Sequence, residues 1–225
     1  MSHTASGAFT ENLPLILASA SPRRSDLLAD LGLHFEVLSI NGAEPVPCVG
    51  DTPSEFVMKA AAAKAHATAA WLDRKKTAHA LVMGFDTIVV LDGANILGKP
   101  HSKNEALDML CRLAGREHTV HSGCCLLWPP NAPNEKRQCE CFQDETKVTF
   151  ENWPREVLAS YVSTGDCMDK AGAYGMQGKG SFLVSGILGQ WSTVVGLPIL
   201  PLVKRLLSGG AIRTIDNDWA AKFLL

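Results

Sequence analysis

No stretch of this chain reaches the roughly 18 uninterrupted apolar residues that a membrane-spanning helix needs. Charge of one sign is lacking too: 21 Lys and Arg stand against 23 Asp and Glu, a formal net charge of −2 with pI near 6.4. That balance excludes a global electrostatic attraction to nucleic acid or to an anionic membrane, so any anion must be held by locally gathered cations. Residues 1–12 are small and polar, without the basic start and apolar core of a secretory signal, and they read as a disordered tail. Cys-x-x-Cys pairs are missing; among seven cysteines the nearest approaches are Cys139-x-Cys141 and the adjacent Cys124-Cys125. An odd count without framework spacing points to reduced thiols in a cytoplasmic protein rather than a disulfide scaffold. His118-x-x-His121-x-x-Cys124 has metal-like spacing, but on a strand the two histidines face opposite ways, which argues against zinc there. Internal repeats, low-complexity tracts and an interdomain linker are also absent.

What is present suits an ordinary folded protein: 225 residues, 46% hydrophobic and 20% charged, enough for one large domain or two lobes around a sizeable core. Leu13–Ala18 is an apolar run of strand length, and Ser21-Pro22 opens a helix with Leu27, Leu28 and Leu31 on its buried stripe. Phe35–Leu38 reads as a strand. Thr52-Pro53-Ser54-Glu55 is a capping box starting a long Ala-rich helix to about Trp71, and Ser102-x-x-Glu105 is a second, for a helix stopping at Gly115. Leu81–Leu91 is β-branched and apolar, with Asp92-Gly93 as a hairpin turn signal. Strands are expected at His118–Leu127 and Cys141–Phe150, separated by a surface excursion over Trp128–Gln138. A helix follows over Pro154–Val162, then a strand near Phe182–Ile187 and a last helix from about Leu197 to Leu207. Alternating strands and helices define an α/β fold, one domain over residues 13–208 with a C-terminal tail at 209–225.

Four departures from local rules mark candidate functional residues. Asp169 to Gly180 packs four glycines with a carboxylate, two lysines and a glutamine amide, a frame whose backbone N–H groups and lysines suit an oligophosphate. Arg23-Arg24 occupies the first turn of a helix, where the macrodipole disfavours cations, with Ser19 and Ser21 just before it. A strand-to-helix turn with free N–H groups, hydroxyls and two guanidiniums is suited to an anion. Lys64 falls within the stripe expected from Phe56, Val57, Ala60, Ala67 and Trp71, so it either snorkels to solvent or meets a buried anion. Asp86 lies inside an apolar run, where a desolvated carboxylate costs several kcal/mol unless cations, a metal or donors surround it. Gly84, two residues earlier on the same face, leaves room for a ligand. Lys99, closing the following hairpin, reaches back toward Asp86 or sits in an exposed turn.

Taken together these segments resemble the Maf family of nucleotide pyrophosphatases. The resemblance rests on Ser19-Ala20-Ser21-Pro22-Arg23-Arg24, Lys64-Ala65, Gly84-Phe85-Asp86-Thr87, Leu97-Gly98-Lys99-Pro100, the Asp169–Gly178 run and Val195-Gly196-Leu197-Pro198, in order over Leu13–Leu207. It implies a two-lobed α/β fold like that of inosine triphosphate pyrophosphatase, with a long twisted mixed sheet, flanking helices and an active site in the central cleft. It implies hydrolysis of a nucleoside triphosphate to the monophosphate and pyrophosphate with a divalent cation, Mg2+ or Mn2+. Asp86 is then the proton acceptor or a metal ligand, Arg24, Lys64, Lys99 and Lys170 hold phosphates, and Glu44 stands near the metal. Arg23, Thr87 and Gln177 resemble the dTTP/UTP branch rather than the one cleaving 7-methyl-GTP. Ser19 and Asp169 complete the implied substrate-binding set. Homodimers are common in the family, and a non-catalytic nucleotide-binding role in cell division is the alternative from another class. Phe85, Gln190-Trp191 and the long Trp128–Gln138 excursion depart from the family pattern, and Phe85 is expected to reshape the pocket.

Overall fold

The apolar run after residue 80 becomes the central strand of the molecule. The structure, a computed structural model, describes residues 7–40, 45, 48, 50–75, 79–132 and 135–215. In chain order the elements are β1 (Phe9–Glu11), β2 (Leu15–Ala18), α1 (Pro22–Asp30), β3 (Glu36–Val37), α2 (Pro53–Arg74), β4 (Leu81–Leu91) and β5 (Asn95–Leu97). There follow α3 (Lys103–Leu113), β6 (Glu117–Leu127), β7 (Cys139–Phe150), α4 (Arg155–Ser163), β8 (Val184–Leu188), α5 (Trp191–Val195), α6 (Ile199–Ser208) and β9 (Ile212–Thr214). The main sheet runs β3-β2-β4-β6-β7-β8, with β5 also paired to β4. Strand β2 is parallel to β3 and β4, while β5, β6, β7 and β8 pair antiparallel, so the sheet is mixed. The α/β expectation holds.

One property of β4 positions everything else. Along one edge it pairs with β6 from Val82 to Val90. Its other edge is shared: β2 covers Leu81–Gly84 and β5 covers Val89–Leu91. Among the described residues, no strand pairs with that edge between Phe85 and Ile88. Two lobes follow from this gap. One packs Leu15, Leu17, Met83 and Phe85 with Leu27, Leu28, Leu202 and Leu206 from α1 and α6. The other packs Val89, Leu91 and Val120 with Leu110, Leu113, Leu158 and Tyr161 from α3 and α4. Side chains alternate along a strand, so odd-numbered β4 positions face these two cores. Val82 packs instead with Ala61, Ala65 and Ala69 of α2, and Ile88 and Val90 with its Phe56 and Val57.

Helix α2 begins as the capping box requires: the Thr52 hydroxyl accepts from the Glu55 N–H, and the Glu55 carboxylate accepts from the Thr52 N–H. Its buried stripe is Phe56, Val57, Ala60, Ala61, Ala65, Thr68, Ala69 and Leu72, rotated from the expected one; Ala67 and Trp71 are only half-buried. The rotation has a cause in the sheet. A Cβ at Gly84 would lie 2.3 Å from the Ala61 carbonyl oxygen, and one at Gly123 would lie 2.6 Å from that of Val57. The space expected for a ligand at Gly84 is therefore taken by α2, whose backbone rests on two glycines of neighbouring strands.

Two further expectations are corrected. Residues 9–11 are not a disordered tail: Phe9–Glu11 pairs antiparallel with Ile212–Thr214, and Phe9 packs on the core, so ordered structure extends past 13–208 at both ends. Phe182 belongs to a 3₁₀ segment over Gly178–Leu183, and β8 starts only at Val184. The expected last helix is α6, and α5 precedes it as a short helix that the sequence did not signal; Gly196, with φ 111°, separates the two. No described helix is long and apolar enough to cross a membrane.

Candidate active site

The open edge of β4 forms the floor of a cleft of about 410 Å³ between the lobes. Ser19, Arg23, Arg24, Lys64, Asp86, Thr87, Lys99, Asp169, Lys170 and Gln177 all line it. Glu44 lies outside the described residues. Ten positions from five separated segments thus meet at one place.

Asp86 and Thr87 illustrate how β4 builds the site, since consecutive residues point to opposite faces. Asp86 turns toward α2, where the Lys64 ammonium donates to its Oδ1 at 2.5 Å. Lys64 lies on the buried side of α2, one turn from Ala60 and from Thr68, and is itself half-buried as its side chain reaches the cleft beside the open edge. The two alternatives for Lys64 are thereby decided: it meets a carboxylate. The Asp86 side chain is 18% exposed, so this pairing offsets much of its desolvation.

Thr87 turns the other way, toward Arg24. The Arg24 guanidinium donates from Nε to the Gly196 carbonyl at 2.8 Å and from its two terminal nitrogens to Ser19 Oγ at 2.9 Å and Thr87 Oγ1 at 3.1 Å. Thr87 Oγ1 lies 2.9 Å from Ser122 Oγ, and Ser122 donates to the Thr193 carbonyl at 2.7 Å. Because Ser122 spends its proton there, the relay runs from Arg24 through Thr87 and Ser122 to Thr193. Arg24 also lies 5.8 Å from the Phe85 ring. Three of its five N–H donors are committed to the protein, and two remain. Burial pushes the Arg24 guanidinium down to about 10, against the pull of Asp86, so it stays charged at neutral pH. Phe85 is fully buried beneath it and does not line the cleft, contrary to the expectation that it reshapes the pocket.

On the facing rim, Asp169 joins the lobes. Arg23 reaches its Oδ2 at 3.1 Å and Lys170 its Oδ1 at 2.8 Å. Against the effect of burial, hydrogen bonds and charge from Lys170 and Arg23 hold the Asp169 carboxyl below its ordinary range. The Gly98 carbonyl accepts from the Gly172 N–H at 3.0 Å, fastening the glycine-rich loop to the turn that carries Lys99. Gly172 has φ 66°, and a Cβ there would approach Val89 Cγ2 to 2.9 Å, so the loop needs this glycine to reach β4. Lys99 itself is exposed. Only the first part of the run serves the cleft; Lys179 lies elsewhere, beside Tyr161 and Phe182. Tyr174 is a core residue, its hydroxyl 2.7 Å from His118 Nε2 and its ring 4.6 Å from Phe150. Trp191 is outside the cleft lining.

Sequence reading missed Ser122 and the Gly196 carbonyl, and also Ser39, a loop residue that lines the cleft. A serine in a strand and a backbone oxygen carry no local signal, because only the fold decides what stands opposite them. His118 and His121 do take separate environments, His118 beside Tyr174 and His121 beside Gln143 and Glu145.

Comparison with known proteins agrees with this architecture. The sequence pattern of the family described as Maf-like protein matches residues 14–208. A protein of Nitratidesulfovibrio vulgaris named dTTP/UTP pyrophosphatase is 49% identical over 209 residues, spanning 93% of this chain and 94% of its own length. One from Lawsonia intracellularis with the same name is 43% identical over 215 residues, 94% of this chain and 90% of the relative. A third, from Bacillus anthracis and also so named, is 40% identical over 192 residues, 85% of this chain and 93% of the relative. With the family pattern covering almost the whole folded unit, this chain belongs to the Maf-like protein family.

Proposed function

We propose that this protein is a nucleoside triphosphate pyrophosphatase that hydrolyses dTTP and UTP to the monophosphate and pyrophosphate in the cytoplasm. The observation that carries this reading is the gathering of Arg24, Lys64, Lys99 and Lys170, distant in sequence, in one cleft with Asp86 on its floor, where Lys64 pairs with that carboxylate. The names of the relatives support the choice of pyrimidine triphosphates.

The chemistry follows from charge. Asp86 accepts a proton from water, the water oxygen attacks the α-phosphorus, and the bond from that phosphorus to the oxygen bridging to the β-phosphate breaks. Pyrophosphate departs with the negative charge, which Lys64, Lys99 and Lys170 neutralise. Arg24, fixed by three hydrogen bonds, offers its remaining N–H groups in a set geometry. The donor set fits a hard divalent cation: the Asp86 carboxylate on the floor and the Ser39 hydroxyl in the lining are oxygen ligands, whereas Ser19 is committed to Arg24. Mg2+ or Mn2+ would be held by Asp86 together with substrate oxygens, and when bound it supplies further neutralisation of phosphate charge. Gln177, exposed at the cleft, donates and accepts and so matches the edge of a pyrimidine base.

The test is release of pyrophosphate from dTTP, UTP, 7-methyl-GTP and ITP in competition, with Mg2+ or Mn2+. Preference for dTTP and UTP is expected. Asp86→Asn should lower kcat by about 10²–10⁴-fold with an unchanged thermal midpoint. Triphosphate binding without turnover under either metal would replace the enzyme with a nucleotide-binding regulator, and preference for 7-methyl-GTP would move it to the other branch.

A further inference from the structure

Away from the nucleotide cleft, three thiols converge where β6 meets β7. Cys125 stands directly across the ladder from Cys141, and Cys139 lies two residues along the same strand, hence on the same face. The Cys125 and Cys139 sulfurs are 3.6 Å apart and those of Cys139 and Cys141 3.8 Å, with all three within 4.8 Å of one another. Cys125 is buried with Ala65, Ala69 and Leu72 beneath α2, while Cys139 and Cys141 are exposed. None of the three lines the cleft.

This spacing suits a shared cation. Zinc-type cations bind thiolates at about 2.3 Å in a tetrahedron, which places neighbouring sulfurs about 3.8 Å apart. The Cys125–Cys139 and Cys139–Cys141 separations match that figure and the third pair lies within 4.8 Å, so the thiols stand close to the positions that a bound cation demands. A disulfide would join only two of the sulfurs, at about 2.05 Å, and leave the third without a role. The arrangement is also asymmetric in a useful way: one ligand is anchored in the core, two face solvent, and the open side admits a fourth ligand.

We propose that Cys125, Cys139 and Cys141 form a binding site for a thiophilic cation of the zinc type, separate from the nucleotide cleft. On binding, three S–H bonds lose their protons to solvent and three metal–sulfur bonds form, with no change of oxidation state. Water or an exogenous donor occupies the fourth position. The cation ties β6 to the start of β7, where the Trp128–Gln138 excursion leaves and rejoins the sheet. Soft sulfur ligands distinguish it from the oxygen-rich cleft that suits Mg2+ or Mn2+.

The experiment is an anaerobic titration of the reduced full-length protein with Co2+, followed by the thiolate-to-cobalt charge-transfer absorption. One equivalent should saturate the band, and Zn2+ should abolish it by displacement. The double variant Cys139→Ser/Cys141→Ser should lose the band while keeping the wild-type circular dichroism, because both side chains are exposed; Cys111→Ser should retain it. The proposal is overturned by absence of the band in wild-type protein whose thiols all titrate as free. It is equally overturned by a band that persists in the double variant. A third outcome against it is a disulfide between two of the three cysteines in the isolated protein whose reduction produces no cobalt binding. None of these readouts depends on nucleotide hydrolysis, so they stand or fall apart from the proposed activity.

Discussion

At the level of single residues, His118 and Asp86 treat the same problem in opposite ways. Both are polar groups in an apolar strand. Asp86 keeps a cation beside it and opens onto the cleft, whereas His118 is enclosed by Phe150 and Tyr174, its Nδ1 without a hydrogen-bond partner among the described residues. Burial pushes the His118 imidazole down to about 4, against a small opposing pull from Glu117. The unfolded chain, with an ordinary imidazole near 6.5, therefore binds the proton first. This residue's contribution is neutral above about pH 6.5, becomes destabilising as pH falls from there toward about 4, and levels off below. Between about pH 7.5 and about pH 5 the loss should be about 2 kcal/mol. Urea unfolding of wild type and His118→Asn at both pH values measures it: the variant should show the shallower pH dependence, and equal dependence in both would remove the argument. Asp86 was legible from sequence because a carboxylate in an apolar run breaks a local rule. Ser122 was not, since a small hydroxyl in a strand breaks none.

Elements turn these residues into a site by close approach. Helix α2 reaches the sheet because Gly84 and Gly123 present no side chain under Val57 and Ala61, one helical turn apart. That contact sets the height of Lys64 above Asp86. In Gly84→Ala the new Cβ meets the Ala61 carbonyl, which is backbone and cannot swing aside. The helix must rise, costing about 1–3 kcal/mol in stability and lowering kcat by about tenfold or more through a misplaced Lys64. Thermal unfolding and steady-state kinetics on this variant check both, and a wild-type rate would show that the helix height does not govern the pair. The two N-cap signals located the starts of α2 and α3 because they are local, although at α3 only half the box forms: Ser102 accepts from the Glu105 N–H, while the Glu105 carboxylate takes the His101 N–H instead of that of Ser102. The stripe of α2 was legible at Phe56, Val57 and Ala60 but misplaced at Ala67 and Trp71, because the seating of the helix on glycines of two distant strands also decides which face is buried.

For the whole molecule, the decisive feature is a strand longer than its neighbours on one side. β4 carries both lobes, and the four-residue gap between β2 and β5 makes the cleft. The pairing of β1 with β9 closes the lobe behind α1, helped by Asn12, whose amide donates to the Gly210 carbonyl at 3.0 Å. None of these residues lines the cleft. Removing residues 1–12 should therefore destabilise the fold by about 1–3 kcal/mol and leave kcat/KM for dTTP unchanged below the melting range. Calorimetry with parallel kinetics tests this; a fall in kcat/KM in the folded range would tie the terminal strand to the site. The sequence by itself determined the α/β class, the order of most elements and the identity of the charged residues, because periodicity, caps and misplaced charges are written within a few neighbouring positions. Only the tertiary structure decided which lysine meets Asp86, that Arg24 is a buried strut, that Gly84 seats a helix, and that three dispersed cysteines share one pocket of space. Those outcomes depend on strand register and on which face each side chain takes, and register is settled between segments rather than within them.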